Sequence, residues 1–112
     1  MKYSAIVLAA ALSALPLAAR AQKAFIPANK LVQVCNNPAQ DAICTGFIGG
    51  ALDEVIASPA LRTEICVPSG TSLKVLRAAL VKYAREHADQ TKGSGVSLLN
   101  AMIKANYPCA AQ

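Results

Sequence analysis

Asp41-Ala42-Ile43-Cys44-Thr45-Gly46-Phe47-Ile48-Gly49-Gly50-Ala51-Leu52-Asp53-Glu54-Val55-Ile56 is the stretch that decides the fold. Ile43, Phe47, Ala51 and Val55 recur at every fourth position, and Cys44, Ile48, Leu52 and Ile56 form the adjacent row. Two neighbouring rows at this spacing make one broad apolar face of an α-helix. Asp41 is an N-cap residue type at its start. Ser58-Pro59 ends it, and Pro59 can open one further short turn. Gly46, Gly49 and Gly50 lie inside, each costing about 1 kcal/mol relative to Ala in a helix. Such a concentration implies close approach of another backbone, either inside the bundle or across a dimer.

Upstream, Asn29 to Cys35 forms a short helix with Leu31, Val34 and Cys35 on one side, stopped by Asn36-Asn37-Pro38. Gln22 to Pro27 is a lead-in. Downstream, Cys66-Val67-Pro68-Ser69-Gly70 is a loop by its Pro and Gly. Thr71 or Ser72 caps a third helix, whose seam is Leu73, Leu76, Leu80, Tyr83 and His87. Lys74, Arg77, Lys82 and Arg85 occupy its other sides, read as a solvated charged face with a binding patch as the alternative. Ala88 to Gly95 is polar and glycine-rich, hence a loop. Val96, Leu98, Leu99, Met102 and Ile103 carry a fourth helix, which ends before Pro108. No segment alternates with period two long enough to make a strand. The expected fold is all-α: a small, irregular up-and-down four-helix bundle.

The first 21 residues read differently. Lys2 precedes an apolar run from Ala5 to Leu17, and Ala19-Arg20-Ala21 follows. A basic start, an apolar centre and small residues at the end are the pattern of a secretory signal peptide. The run is too short to span a membrane comfortably. Residues 1–21 are therefore expected to be removed, leaving residues 22–112 as a single exported domain with no membrane attachment. Of 11 basic residues, Lys2 and Arg20 go with the leader, so nine face six acidic ones. That surplus of three is too small to imply a nucleic-acid partner.

Cys35, Cys44, Cys66 and Cys109 all lie after the leader. An even count in a small exported domain reads as two disulfides. The intervening 8, 21 and 42 residues include no C-x-x-C pair, and His87 is the only histidine, so neither a zinc site nor thioredoxin-type chemistry fits. If helix direction alternates, Cys35 meets Cys44 at one pole and Cys66 meets Cys109 at the other. Four cysteines allow three pairings, and the spacing leaves the other two open.

Material for catalysis is scarce. His87 sits at the end of the third helix, where a capping or packing role is expected. Asp53 and Glu54 are adjacent, so on a helix they point about 100° apart and form no acid/base pair. No phosphate-binding glycine loop is present. No metal or cofactor is expected, and elimination leaves an exported binding module rather than an enzyme.

Several elements together resemble one family. Cys44-Thr45-Gly46-Phe47-Ile48-Gly49-Gly50-Ala51-Leu52-Asp53 is similar to the C-x-G-Y-I-x-G-x-x-D signature of the Rap/Tai family of type VI secretion amidase immunity proteins. Cys66-Val67-Pro68-Ser69-Gly70 resembles its C-x-P-x-G element. Leu80 to His87 resembles its third helix, and Asn106-Tyr107-Pro108-Cys109 its terminal aromatic-Pro-Cys. The resemblance covers residues 29–109. It implies a small helical periplasmic protein, often a homodimer, without catalysis of its own. Such a protein binds a peptidoglycan amidase, a papain-like cysteine hydrolase, and covers its active-site cleft with a helix and a loop. The chain departs from the pattern at Ala88, where the family has Pro. It departs again at Lys92-Gly93-Ser94-Gly95, where a helical stretch is replaced by what reads as a more flexible loop. The expected partner-binding residues are Arg85 and Glu86, then Asp89, Gln90, Thr91, Lys92, Gly93 and Ser94. The alternative function is a small periplasmic stress chaperone of the acid-response type. Two bridges and only six acidic residues make an acid-triggered opening a poorer fit.

Overall fold

The structure, a computed structural model, describes residues 23–110. The leader expected over residues 1–21 lies outside them. The order is α1 (Ala28–Cys35), a 3-10 turn (Pro38–Gln40), α2 (Asp41–Ala57), α3 (Leu73–Glu86), a second 3-10 turn (Ala88–Lys92) and α4 (Gly95–Asn106). Among the described residues this is an all-α protein of four helices and two disulfides, Cys35–Cys44 and Cys66–Cys109.

Local chemistry explains most boundaries. Asn37 accepts the Ala39 N–H at 3.0 Å, so the chain turns at Pro38 instead of continuing α1. Ser72 caps α3 by accepting the Val75 N–H at 3.2 Å. Ser94 caps α4 by accepting the Ser97 N–H at 3.1 Å. Gly70 takes a left-handed φ of 84° in the loop before α3, a conformation glycine adopts without steric cost.

Asp41 does not cap α2; it is the helix's first residue, and Gln40 precedes it with no capping side chain. Its carboxylate instead accepts from Arg77 Nη1 at 2.6 Å, while Arg77 Nε donates to the Cys35 carbonyl at 2.7 Å. One guanidinium on α3 thus joins the carbonyl end of α1 to an acid at the start of α2. Both contacts follow the helix dipoles, a cation at a C-terminus and an anion at an N-terminus.

The core is built from α1, α3 and α4 more than from α2. Ala28, Leu31, Val34 and Cys35 of α1 are buried with Leu76, Leu80, Tyr83 and Ala84 of α3 and Leu98, Leu99, Met102 and Ile103 of α4. From α2 only Cys44, Ile48 and Val55 are buried, while Ile43 is 56% and Ile56 68% exposed. The broad apolar face of α2 is therefore only partly used. Apart from its chain neighbours and the helix's own backbone, nothing among the described residues lies within 4 Å of a side-chain position at Gly46 or Gly50, and Gly49 has ordinary contact with Leu73 at 3.8 Å. Close approach inside the bundle does not account for these glycines.

Strict helix alternation would start α4 near the end of α1. Here the two starts are joined: the Ala28 N–H donates to the Gly93 carbonyl at 2.9 Å, and the Gly95 N–H to the Ile26 carbonyl at 2.8 Å. The irregularity is absorbed by residues 58–72, which turn after α2 and bridge the end of α4. There Ile65 pairs with Pro108, and the Cys66 N–H donates to the Tyr107 carbonyl at 2.9 Å.

Candidate functional site

The residues expected to read a partner gather where α3 passes into α4, but they divide into two kinds. Arg85 and Glu86 on the last turn of α3 are exposed, as are Asp89, Lys92 and Gly93. Gln90, Thr91 and Ser94 are partly buried and hold the corner together. Tyr83 donates its hydroxyl proton to Gln90 Oε1 at 3.0 Å. Thr91 donates to the Ala88 carbonyl at 2.6 Å. Ser94 caps α4, and the Gly93 carbonyl receives the Ala28 N–H.

The segment read as a flexible loop is thus a 3-10 turn followed by a backbone crossing. The cause is at Gly95, which is buried: a Cβ there would lie 3.0 Å from the Ile26 carbonyl oxygen and 3.1 Å from a Leu31 methyl. Glycine serves close approach here, and its neighbours are fixed by the bonds that approach permits. Nothing in local spacing reveals the Ile26 carbonyl, so composition alone read Gly93-Ser94-Gly95 as a linker.

His87 closes α3. Its backbone N–H and its ring Nδ1–H both donate to the Tyr83 carbonyl, at 2.9 and 3.0 Å. The ring lies against Tyr83, centroids 3.9 Å apart and planes at 17°. A histidine so engaged caps and packs, as expected from its position. Among the described residues no cluster of three or more His, Cys, Asp or Glu side chains could hold a metal ion.

Sequence reasoning missed a second feature on the same helix. An open trough of about 660 Å³ runs between α3 and the α1–α2 corner. Lys74, Arg77, Lys82 and Arg85 line one side, and Cys35, Asn36, Pro38 and Asp41 the other. Its only sequence signal is the spacing of the cations along α3; the opposing wall depends on the Arg77–Asp41 contact between distant segments. A smaller apolar cleft of about 270 Å³ lies between Leu52, Val55 and Ile56 of α2 and residues 65–69.

A rigid, doubly crosslinked helical domain with a charged corner and an open trough has the form of a protein-binding module. The model of the Rap1a immunity proteins matches residues 27–109. The chain belongs to the Rap1a immunity protein family. No curated protein and no solved structure matches it.

Proposed function

We propose that this protein is a periplasmic immunity protein that binds a type VI secretion peptidoglycan amidase and occludes its active-site cleft. It protects the cell from the effectors of its own kind. The observation that carries this reading is the family match over residues 27–109. The secretory pattern of residues 1–21 and the two disulfides support action in an oxidising compartment that contains the cell wall. The scarcity of catalytic groups supports inhibition by coverage rather than by modification of the toxin.

The binding surface proposed is the exposed part of the α3–α4 corner, Arg85, Glu86, Asp89 and Lys92. The Tyr83–Gln90 bond and the crossing at Gly93–Gly95 hold these side chains on a preorganised backbone. Preorganisation limits the ordering cost of association. An interface of roughly 800 Å² per partner is within reach of a domain this size. The exposed side of α2, with Ile43, Gly46 and Gly50, is the proposed face of a homodimer, since the bundle itself leaves those glycines uncovered.

The test is inhibition of type VI secretion peptidoglycan amidases from the same genome, starting with any encoded next to this chain, followed by peptidoglycan digestion. Replacing Arg85, Glu86, Asp89 and Lys92 together by Ala, with Gln90, Thr91 and Ser94 kept, should weaken inhibition at least about tenfold, the size of one lost hot spot. Thermal stability should be nearly unchanged. Full inhibition by the variant moves the binding surface elsewhere. If the unaltered protein binds none of these amidases, the immunity reading fails. Suppression of client aggregation at low pH would then favour the chaperone.

A further inference from the structure

The described residues carry nine basic and six acidic side chains, a surplus of three. Four of the nine, Lys74, Arg77, Lys82 and Arg85, line the trough between α3 and the α1–α2 corner, with Asp41 as the one acid among its lining residues. The remaining five cations, Lys23, Lys30, Arg62, Lys92 and Lys104, are matched in number by Asp53, Glu54, Glu64, Glu86 and Asp89. The whole surplus of the described residues is therefore concentrated in one groove, and the rest of them are balanced. Overall composition conceals this, because a surplus of three spread evenly would mean little.

Within the groove the four cations are not equivalent. Arg77 is committed to Asp41 and to the Cys35 carbonyl. Lys74, Lys82 and Arg85 are exposed, and neither ion pair among the described residues involves them. Glu86, one turn beyond Lys82, borders the adjoining small cleft rather than the trough. From Lys74 to Arg85 the helix rises about 16 Å at 1.5 Å per residue. An extended chain covers that length in about five residues. Ala78 and Val81 lie between the cations along the trough, giving it an apolar strip as well as a charged one. A free phosphate or single carboxylate would engage only one part of such a site. A peptide segment with alternating acidic and small side chains would engage it throughout.

We propose that this trough docks an acidic, extended segment of the partner effector, with Lys74, Lys82 and Arg85 facing its carboxylates. The proposal rests on the immunity reading and deepens it, because it states what chemistry the partner must carry. Arg85 belongs to both the corner and the trough, so the two surfaces are continuous. Concentrated charge of this kind acts chiefly on the rate of encounter and on orientation.

Two variants separate the trough from net charge. One carries Lys74→Gln, Lys82→Gln and Arg85→Gln. The other carries Lys23→Gln, Lys30→Gln and Arg62→Gln, which removes the same charge elsewhere. All six side chains are exposed, and circular dichroism should show both variants folded. The first probe is a fluorescein-labelled peptide of alternating Glu and Ala, with the Gln-for-Glu peptide as its neutral counterpart. The Glu peptide should bind the wild type and the control variant at least about fivefold more tightly than the trough variant, and the neutral peptide should show no such preference. Equal binding of the Glu peptide to both variants overturns the proposal.

The second probe is a type VI secretion peptidoglycan amidase from the same genome, mixed at about 20 mM and about 300 mM salt. Its association rate at low salt should fall about tenfold for the trough variant and hardly at all for the control. If the amidase associates equally fast with all three proteins, the trough does not read it and the proposal fails, while the immunity reading stands. If no such amidase binds any of them, the immunity reading fails, and with it the effector as occupant. If the trough variant only loses self-association, the occupant is a second copy of this chain and the proposal is overturned.

Discussion

Helices α2 and α4 contain similar side chains and use them in opposite ways. α4 has 12 residues and buries Gly95, Leu98, Leu99, Met102 and Ile103. α2 has 17 residues and buries only Cys44, Ile48 and Val55. Their glycines divide the same way: Gly95 is pressed against Ile26 and Leu31, whereas Gly46 and Gly50 face open space. Apolar periodicity establishes that a helix forms, but not how much of its face the same chain will cover. An apolar surface left uncovered is available to another molecule, and α2 has more of it than α4.

The largest expected effect sets the staple at the end of α4 against the one at the start of α2. Cys66–Cys109 closes a sequence separation of 43 and Cys35–Cys44 one of 9. The loop-entropy model assigns about 4 kcal/mol to the first and about 2.7 kcal/mol to the second. Replacing each pair by Ser and measuring urea unfolding should rank them in that order. The reverse order would show that the α1–α2 corner, with Arg77 and Asp41, depends on its staple more than α4 does.

Next come the side chains. Leu99→Ala, at a fully buried position of α4, should cost about 2–5 kcal/mol. Ile56→Ala on α2 should cost no more than about 0.5 kcal/mol in the monomer. Similar losses at both sites, measured below the concentration at which the protein self-associates, would erase the contrast between the helices.

The glycines give the smallest and most discriminating effect. Gly95→Ala forces a shift of backbone or of Leu31 and should destabilise by about 1–3 kcal/mol. Gly46→Ala meets nothing and should stabilise the monomer by up to about 1 kcal/mol through helix propensity. If α2 is the dimer face, light scattering should show Gly46→Ala weakening the dimer while calorimetry shows a firmer monomer. A dimer left intact would place its interface elsewhere.

What the sequence made legible was mainly local. Ser72 as a cap, Pro38 as a stop and the Pro-Gly loop before α3 depend on neighbours a few residues away, and each stands where expected. Both expected cysteine pairings occur, although the helix alternation they were expected from does not hold, since α1 and α4 start side by side. One misreading came from a distant partner. Asp41 has the chemistry of a cap but is engaged by Arg77, a residue that no helical period connects to it. Leu73 lies on the seam of α3 yet is 38% exposed, at the helix's first residue. Of the residues expected to bind a partner, Gln90, Thr91 and Ser94 share the polarity of Asp89 and Lys92. Their hydrogen-bonding groups are used within the corner, on Tyr83, Ala88 and Ser97, local partners that polarity alone did not reveal.

The crossing of Ile26–Ala28 with Gly93–Gly95 also imposes an order in time. α1 comes first along the chain, yet the carbonyl that receives the Ala28 N–H and the surface that receives Leu31 belong to the segment leading into α4. Until that segment is in place, α1 lacks its final seat, and long-range closure of this kind is the slow part of folding. The Cys35–Cys44 bridge, being local, can form before then and keep α1 beside α2 while the rest of the chain arrives. The shorter staple thus has a kinetic use that its modest equilibrium contribution does not convey: removing it should slow refolding out of proportion to the stability it contributes.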